Sequence, residues 1–131
     1  MDPRDRRRFD DLLEAIIAEL PEHIHERLDE VPVVVEDRPT RQLLDDMQID
    51  GPGTLLCGLH SGIPLTRRSV EHSGTIPDQI MLFREPIVAV ARFRRGGSLR
   101  DLERQVRITL LHEIGHHFGL DEDDLAALGY A

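Results

Sequence analysis

The segment from Ser98 to Gly119 is the part of the chain that most constrains its fold. From residue 99 to residue 118 it contains no proline and only one glycine, Gly115. Ser98 with Asp101 three residues later forms a near-capping-box, and Gly119 stands where a helix favours a left-handed residue. Apolar residues first follow one stripe and then spread nearly all round. The sequence therefore predicts a helix over residues 99–118 that is buried on most sides.

Within this predicted helix, residues 112–116 read HEIGH. Residues four apart project from one helix face a turn apart, so His112 and His116 can reach a single metal ion. Glu113, beside the first histidine, can act as a general base toward water. The alternative is a structural helix whose histidines are merely packed or solvated. A metal site is favoured, because two histidines on an otherwise apolar helix need a partner.

A zinc ion with one position open for water needs a third protein ligand. The spacing after Gly119 places Glu122 in that role, which completes a site of two histidines and one carboxylate. Asp121 and Asp123, one residue to either side, are alternatives. The acidic run 121–124 is also what the first turn of a following helix favours, since negative charge suits the helix dipole.

The motif and its surroundings resemble a known family. Residues 112–125, HEIGHHFGLDEDDL, are similar to the motif of a small bacterial family of zincin-like metallopeptidases. Upstream pieces match the same family and bring the resemblance to about residues 9–128: VVVED at 33–37, GIPLT at 62–66 and PDQI at 77–80.

The resemblance implies an α+β fold, a minimal zincin-like domain with a small sheet packed against the HExxH helix and an N-terminal helix. It also implies Glu113 as the base and His112, His116 and an acidic residue at 122 as zinc ligands. The family's residue there is expected to be aspartate, whereas this chain has Glu122. The glycine resembles metzincins as well, but no methionine follows Met81, so that class, with its Met-turn, is excluded.

Length and composition set the frame. The 131 residues predict a single domain over 1–131, without room for a second substrate-binding lobe. The only cysteine, Cys57, excludes an internal disulfide and a thiolate zinc cluster, and its apolar surroundings predict a small buried hydrophobe. No run approaches the roughly 20 apolar residues of a membrane span. The first helix is amphipathic rather than a signal peptide, so we expect a cytoplasmic bacterial protein.

The charge pattern argues against a nucleic-acid partner, and the lack of an apolar span argues against a membrane partner. The formal net charge is −9, and a strongly acidic protein is repelled by a phosphate backbone. The cationic residues cluster at 4–8, 67–68 and 92–95, where acidic neighbours or turns favour a solvated surface.

Apolar spacing predicts the remaining elements. The N-terminal helix should bury Phe9, Leu12, Leu13, Ile16, Ile17 and Leu20, and a short helix after Pro21 should bury Ile24 and Leu28. Strands are expected over 31–35, 54–59 and 76–83, and a helical turn near Leu43 and Leu44 within a loop. Residues 86–94 fit either a strand or, by the family resemblance, a short helix begun by Pro86.

The other histidines carry weaker expectations. His117 points about 100° from His116 and should pack or bond locally. His23 and His25 belong to an acidic helix and should be solvated. His60 and His72 flank a loop rich in glycine and serine, and either could supply a donor near the metal.

Together these observations predict a zinc-dependent hydrolase, most simply a peptidase with one Zn²⁺ per chain that acts on a peptide or protein. An extended substrate could pair with an exposed strand edge, for which residues 79–83 are the candidate. One alternative is a metal-stabilised binding or regulatory domain without turnover. A metal-dependent ribonuclease is a weaker one, since Glu113 and the acidic balance argue against it.

Overall fold

A mixed sheet of three strands organises the fold, and its strand order does not follow the chain. The computed structural model describes residues 1–49, 56–61, 79–119 and 122–127. Within these residues the strands are β1 (Val33–Glu36), β2 (Gly58–Ser61) and β3 (Gln79–Phe83). Their order is β1-β3-β2, with β1 parallel and β2 antiparallel to β3. β3 is therefore the central strand.

Helices surround this sheet. They are α1 (Pro3–Glu19), α2 (Glu22–Leu28), α3 (Arg41–Asp46), α4 (Arg84–Val90), α5 (Leu99–Phe118) and α6 (Glu122–Ala127), with a 3-10 turn at Phe93–Arg95. α5 packs on α1, α4, β2 and β3. The predicted α+β arrangement, a small sheet against the motif helix and an N-terminal helix, is confirmed. No helix in the described part of the chain is long and apolar enough to cross a bilayer.

Both ends of α5 follow the sequence prediction. The Asp101 backbone N–H donates to the Ser98 hydroxyl at 3.2 Å, and the Ser98 N–H donates to the Asp101 carboxylate at 2.9 Å. This reciprocal capping box satisfies donors that a helix start leaves unpaired. At the other end Gly119 takes the left-handed conformation, with φ 69°, where a side chain would be strained.

The hydrophobic core lies between α1, α5 and the sheet. Ile80 and Leu82, two residues apart on β3, are fully buried on the same sheet face. They belong to one cluster with the buried side chains of the first and fifth helices, Phe9, Leu13, Ile16, Leu102, Val106, Leu110, Leu111 and Ile114. The buried face of α1 is the one that apolar spacing predicted.

Three local predictions are adjusted by the structure. The second strand was expected over 54–59; residues 54–55 lie outside the described residues, and the strand that the structure describes begins at Gly58 and ends at Ser61. The third, expected over 76–83, is described as Gln79–Phe83, and residues 76–78 lie outside the described residues. In the ambiguous segment 86–94 the structure has α4, which begins before Pro86 and buries Ile87 and Val88.

One prediction is wrong. Residues 79–83 were expected to form an exposed edge for substrate pairing, but β3 is bonded on both sides, with Val33 opposite Ile80 on one side and Leu59 opposite Met81 on the other. The reason is that β1 crosses over to pair in parallel with β3, a contact between distant segments that local strand patterns do not report.

A cluster of ion pairs, the Asp37 cluster, joins α1, α4 and the end of β1. Asp37 accepts from Arg6 Nη2 at 2.6 Å and from Arg84 Nη1 at 3.0 Å. Arg84 also binds Asp10 through two parallel hydrogen bonds of 2.9 Å each. The hydrogen bonds from Arg6, with further support from Arg84, hold the pKa of the Asp37 carboxyl below its ordinary value. The charged form of Asp37 is thus built into the fold.

Candidate metal centre

The structure brings His112 and His116 together on one face of α5. Their ring centroids lie 4.4 Å apart, with 63° between the ring planes. His112 is half-buried, whereas the side chain of His116 is 57% exposed. The pair therefore lies where the helix emerges from the core, and an ion can approach it from solvent.

Glu113 lies next to this pair on α5. It is only 8% exposed, and its Oε2 is 3.9 Å from Nδ1 of His116. Burial raises the pKa of the Glu113 carboxyl, while His116, His112 and a hydrogen bond from the backbone N–H of His60 act in the opposite direction. Among the described residues, no arginine pairs with this carboxylate. Its charge is therefore far less compensated than that of Asp37.

Gly58 allows β2 to lie directly against α5 beside Glu113. A Cβ at residue 58 would be 2.8 Å from Cγ2 of Thr109, 3.1 Å from Cγ of Glu113 and 3.1 Å from the Met81 carbonyl oxygen. Real side chains do not tolerate this crowding, so only glycine fits without a shift. Motif and spacing did not single out Gly58, although a glycine inside a strand is a known sign of close backbone approach.

The face of α5 that meets β2 is a row of residues spaced by four: Thr109, Glu113 and His117. One helical turn after Glu113 in this row, Nδ1 of His117 lies 2.7 Å from Nε2 of His60 on β2. The rings meet edge-on with centroids 4.5 Å apart. His117 was expected to pack or bond locally. Its ring packs against the neighbouring Phe118, with centroids 4.4 Å apart, but its polar contact is with a strand distant in sequence. His60 is directed to His117, and His72 lies outside the described residues.

The third ligand remains a prediction. Glu122 is the first residue of α6, shortly after the left-handed turn at Gly119, and the structure describes its backbone but not its side chain. Asp121 lies outside the described residues, and Asp123 is exposed. Among the side chains that the structure describes, no group of three or more metal-binding residues is assembled.

Cys57 plays no part in this chemistry. It is half-buried against the hydrophobic core, and burial raises the pKa of its thiol to about 11. A thiol that stays protonated at neutral pH is a poor nucleophile and a poor metal ligand. Cys57 thus packs as a small hydrophobe, as predicted, although it is half-buried rather than buried.

The donor set fits a zinc ion. Imidazole nitrogens are preferred zinc ligands, and the two on α5 are a turn apart and reachable from solvent. The buried carboxylate beside them lacks an arginine partner within the described residues, so a bound cation would balance its charge. Two imidazoles of the kind that bind zinc thus lie next to a buried carboxylate.

The comparison with known families agrees with this geometry. A profile of the zincin-like metallopeptidases matches residues 28–130, which is most of the chain and includes β1, β2, β3 and the motif helix. No curated protein matches the chain closely enough to count as a relative. Because the profile matches most of the chain, the chain belongs to the zincin-like metallopeptidase family.

Proposed function

We propose that this protein is a zinc-dependent peptidase in which Glu113 is the general base. The observation that carries the proposal is the placement of Glu113, buried to 92% of its surface and next to two imidazoles but without an arginine partner in the described structure. A structural carboxylate is normally paired when it is buried. One that has no arginine partner and lies beside metal-binding side chains is typical of a reactive site.

His112 and His116 would hold the zinc ion, with Glu122 as the proposed third ligand. Zinc, when bound, lowers the pKa of a water molecule toward neutrality and polarises a carbonyl group. A zinc ion of this kind has four coordination positions. Three protein ligands would fill three of them and leave the fourth for water or substrate. The stoichiometry expected is one ion per chain.

Glu113 would move the proton. Its carboxylate takes a proton from the attacking water and delivers it to the departing amine, so one group serves as base and then as acid. Burial, which raises its pKa, makes the carboxylate a better proton acceptor at neutral pH. The N–H of His60 holds the carboxylate in place without neutralising it.

An extended peptide substrate is proposed to bind along β2. This strand is the outer one next to α5, and it is bonded to β3 on one side only among the described residues. Strand addition at such an edge uses backbone hydrogen bonds, and so accepts many sequences. The His60 N–H, which donates to Glu113, would not take part in this pairing. The role first expected of residues 79–83 thus passes to the strand that lies next to Glu113.

Metal analysis tests the site. The purified protein should contain close to one zinc per chain, and His112→Ala or His116→Ala should remove it. Glu122→Ala should weaken binding more than Asp121→Ala or Asp123→Ala in a titration with a competing chelator. His23→Ala, at an exposed histidine of α2, is the matched control and should keep its zinc. Stoichiometric zinc in a variant that lacks both motif histidines would contradict the assignment.

Cleavage of a peptide library tests the activity. Glu113→Gln keeps the shape and the hydrogen-bond acceptor but cannot take a proton from water. We expect equal zinc content and a rate at least about a hundredfold lower, which is roughly 2.7 kcal/mol of barrier. Zinc binding without cleavage of any peptide would favour a metal-stabilised binding domain instead. Equal rates in parent and variant would exclude Glu113 as the base.

A further inference from the structure

We propose that His60 and His117 are positioning residues, whose imidazole contact holds β2 against α5 so that the backbone N–H of His60 stays on the Glu113 carboxylate. This inference deepens the proposed function and rests on it for its catalytic consequence. Its structural part concerns only residues of this chain and can be tested without metal or substrate.

The first observation is that two residues of α5 reach the same residue of β2. Glu113 and His117 are four apart and so project from one helix face. Glu113 accepts a hydrogen bond from the backbone N–H of His60, and His117 Nδ1 lies 2.7 Å from Nε2 of the His60 ring. His60 is therefore held at two points, through its backbone by Glu113 and through its side chain by His117.

The second observation is the direction of the His60 N–H. The Phe83 N–H donates to the Cys57 carbonyl at 2.8 Å, which makes these residues a hydrogen-bonded pair between β2 and β3. Opposed residues alternate in an antiparallel ladder, so His60 and its partner Ile80 form a pair without such bonds. In agreement, the Ile80 N–H donates to Pro32 instead, at 2.9 Å. The His60 N–H thus points away from β3, and Glu113 satisfies it.

The third observation is that Gly58 and His60 of β2 both face α5. Gly58 and His60 are two residues apart, so they share a sheet face, and their partners Leu82 and Ile80 are both fully buried. Gly58 has no side chain and so lets α5 approach β2. The side chain of His60 contacts His117 of α5. β2 is a four-residue strand with a single strand partner among the described residues, and its place on α5 depends on such contacts.

A pair of substitutions separates hydrogen bonding from packing. His117→Asn keeps a polar atom at the place of Nδ1, whereas His117→Phe keeps an aromatic ring but no hydrogen bond. Asparagine, phenylalanine and histidine have similar helix propensities, so α5 itself is little affected. His23→Phe, at an exposed histidine, is the control.

The direct readout is amide hydrogen exchange in the metal-free protein. In His117→Phe the His60 amide should exchange at least about tenfold faster, because an edge N–H without its acceptor is unprotected. The Ile80 amide, bonded to Pro32, should not change and serves as the internal reference. His117→Asn should stay close to the parent. Unchanged exchange at His60 in His117→Phe overturns the proposal, and if His117→Asn alone exchanges faster, His117 has a packing role only. Equal acceleration in both variants also overturns it, because the polar contact that asparagine keeps would not be what protects the amide.

The catalytic readout follows once a cleavable peptide is known. His117→Phe should lower kcat by tenfold to a hundredfold, in the range expected for a displaced reactive group, and His117→Asn by less than about threefold. Zinc content should be the same in both. If the chain does not cleave peptides, the exchange experiment still tests the contact between His60 and His117, because it needs no substrate. If His117→Phe does not fold, His60→Gln and His60→Phe test the same contact from β2, with the same expected order.

Discussion

Two carboxylates of this protein are held in contrasting ways. Asp37 lies between Arg6 and Arg84, at 2.6 Å and 3.0 Å, and its pKa is lowered by those hydrogen bonds. Glu113 is buried beside α5's histidines, its shortest ion-pair distance within the described residues is 3.9 Å, and its pKa is raised by burial. One region stabilises a negative charge, and the other holds a negative charge at a cost.

The difference separates a structural carboxylate from the one that we propose as the general base. The Asp37 cluster joins three elements, and its charge is needed for that contact. Glu113 joins α5 to β2 by a single backbone hydrogen bond and keeps a tendency to accept a proton. A site that needs a base near neutral pH and room for a cation is expected to sacrifice stability in this way.

The largest loss of stability is expected when a side chain is added at residue 58. Gly58→Ala places a Cβ against Thr109, Glu113 and the Met81 carbonyl, and overpacking of this kind costs roughly 1–3 kcal/mol of unfolding free energy. It should also push β2 outward and expose Glu113, which makes its surroundings more like those of Asp37. Urea unfolding measures the loss.

Thr109→Ser provides the internal control for that substitution. It removes the Cγ2 that lies 2.8 Å from the added Cβ but keeps the hydroxyl, which donates to the Gln105 carbonyl at 2.8 Å. The double variant should recover part of the lost stability, which a double-mutant cycle detects. If Gly58→Ala is as stable as the parent, the close approach of β2 and α5 is not tight in solution.

The next effect is expected at the Asp37 cluster. Asp37→Asn removes the charge from hydrogen bonds that Arg6 and Arg84 donate, and we expect a loss on the order of 1 kcal/mol, because part of the cluster is exposed and screened. The folded pKa of Asp37 is below the unfolded value of about 3.8, so its contribution is complete above that pH. The gap between parent and variant should therefore shrink as the pH falls below about 3.8.

Thermal unfolding between pH 2.5 and 7 checks this pH dependence. Asp45→Asn is the matched control, since Asp45 pairs with Arg41 on an exposed helix surface, where both side chains are about 60% exposed. That substitution should change stability by less than about 0.5 kcal/mol. A difference at Asp37 that stays constant down to pH 2.5 would show that the lost contact is not electrostatic.

The smallest change in stability is expected for Glu113→Gln in the metal-free protein, and it is a gain rather than a loss. The folded pKa of Glu113 lies above its unfolded value of about 4.5, so the fold prefers the protonated form and the parent loses stability as the pH rises above that value. Glutamine is neutral at every pH. The variant should therefore melt at a slightly higher temperature than the parent at pH 7, and at the same temperature near pH 4.

The two amide substitutions together test the comparison. After treatment with a chelator, Asp37→Asn should lower and Glu113→Gln should raise the melting temperature at pH 7. If Glu113→Gln instead destabilises the metal-free protein, the carboxylate has a compensating partner, and its charge no longer supports a cation site.

Much of the candidate site could be predicted from local sequence. The bounds of α5 follow from Ser98, Asp101 and Gly119, which act within a few residues of themselves. His112 and His116 share a face because their spacing matches the helical turn. Interactions of this kind depend on neighbours along the chain, so the sequence by itself determined a capped helix that carries two imidazoles and a carboxylate.

The tertiary structure alone decided what faces that carboxylate. The order β1-β3-β2, the need for glycine at residue 58 and the contact between His60 and His117, 57 positions apart, all join distant segments. Such pairings depend on which segments meet when the chain closes on itself, and strand patterns with a period of two are the same for a central and an outer strand. The environment that makes Glu113 a candidate base is therefore a property of the assembled fold.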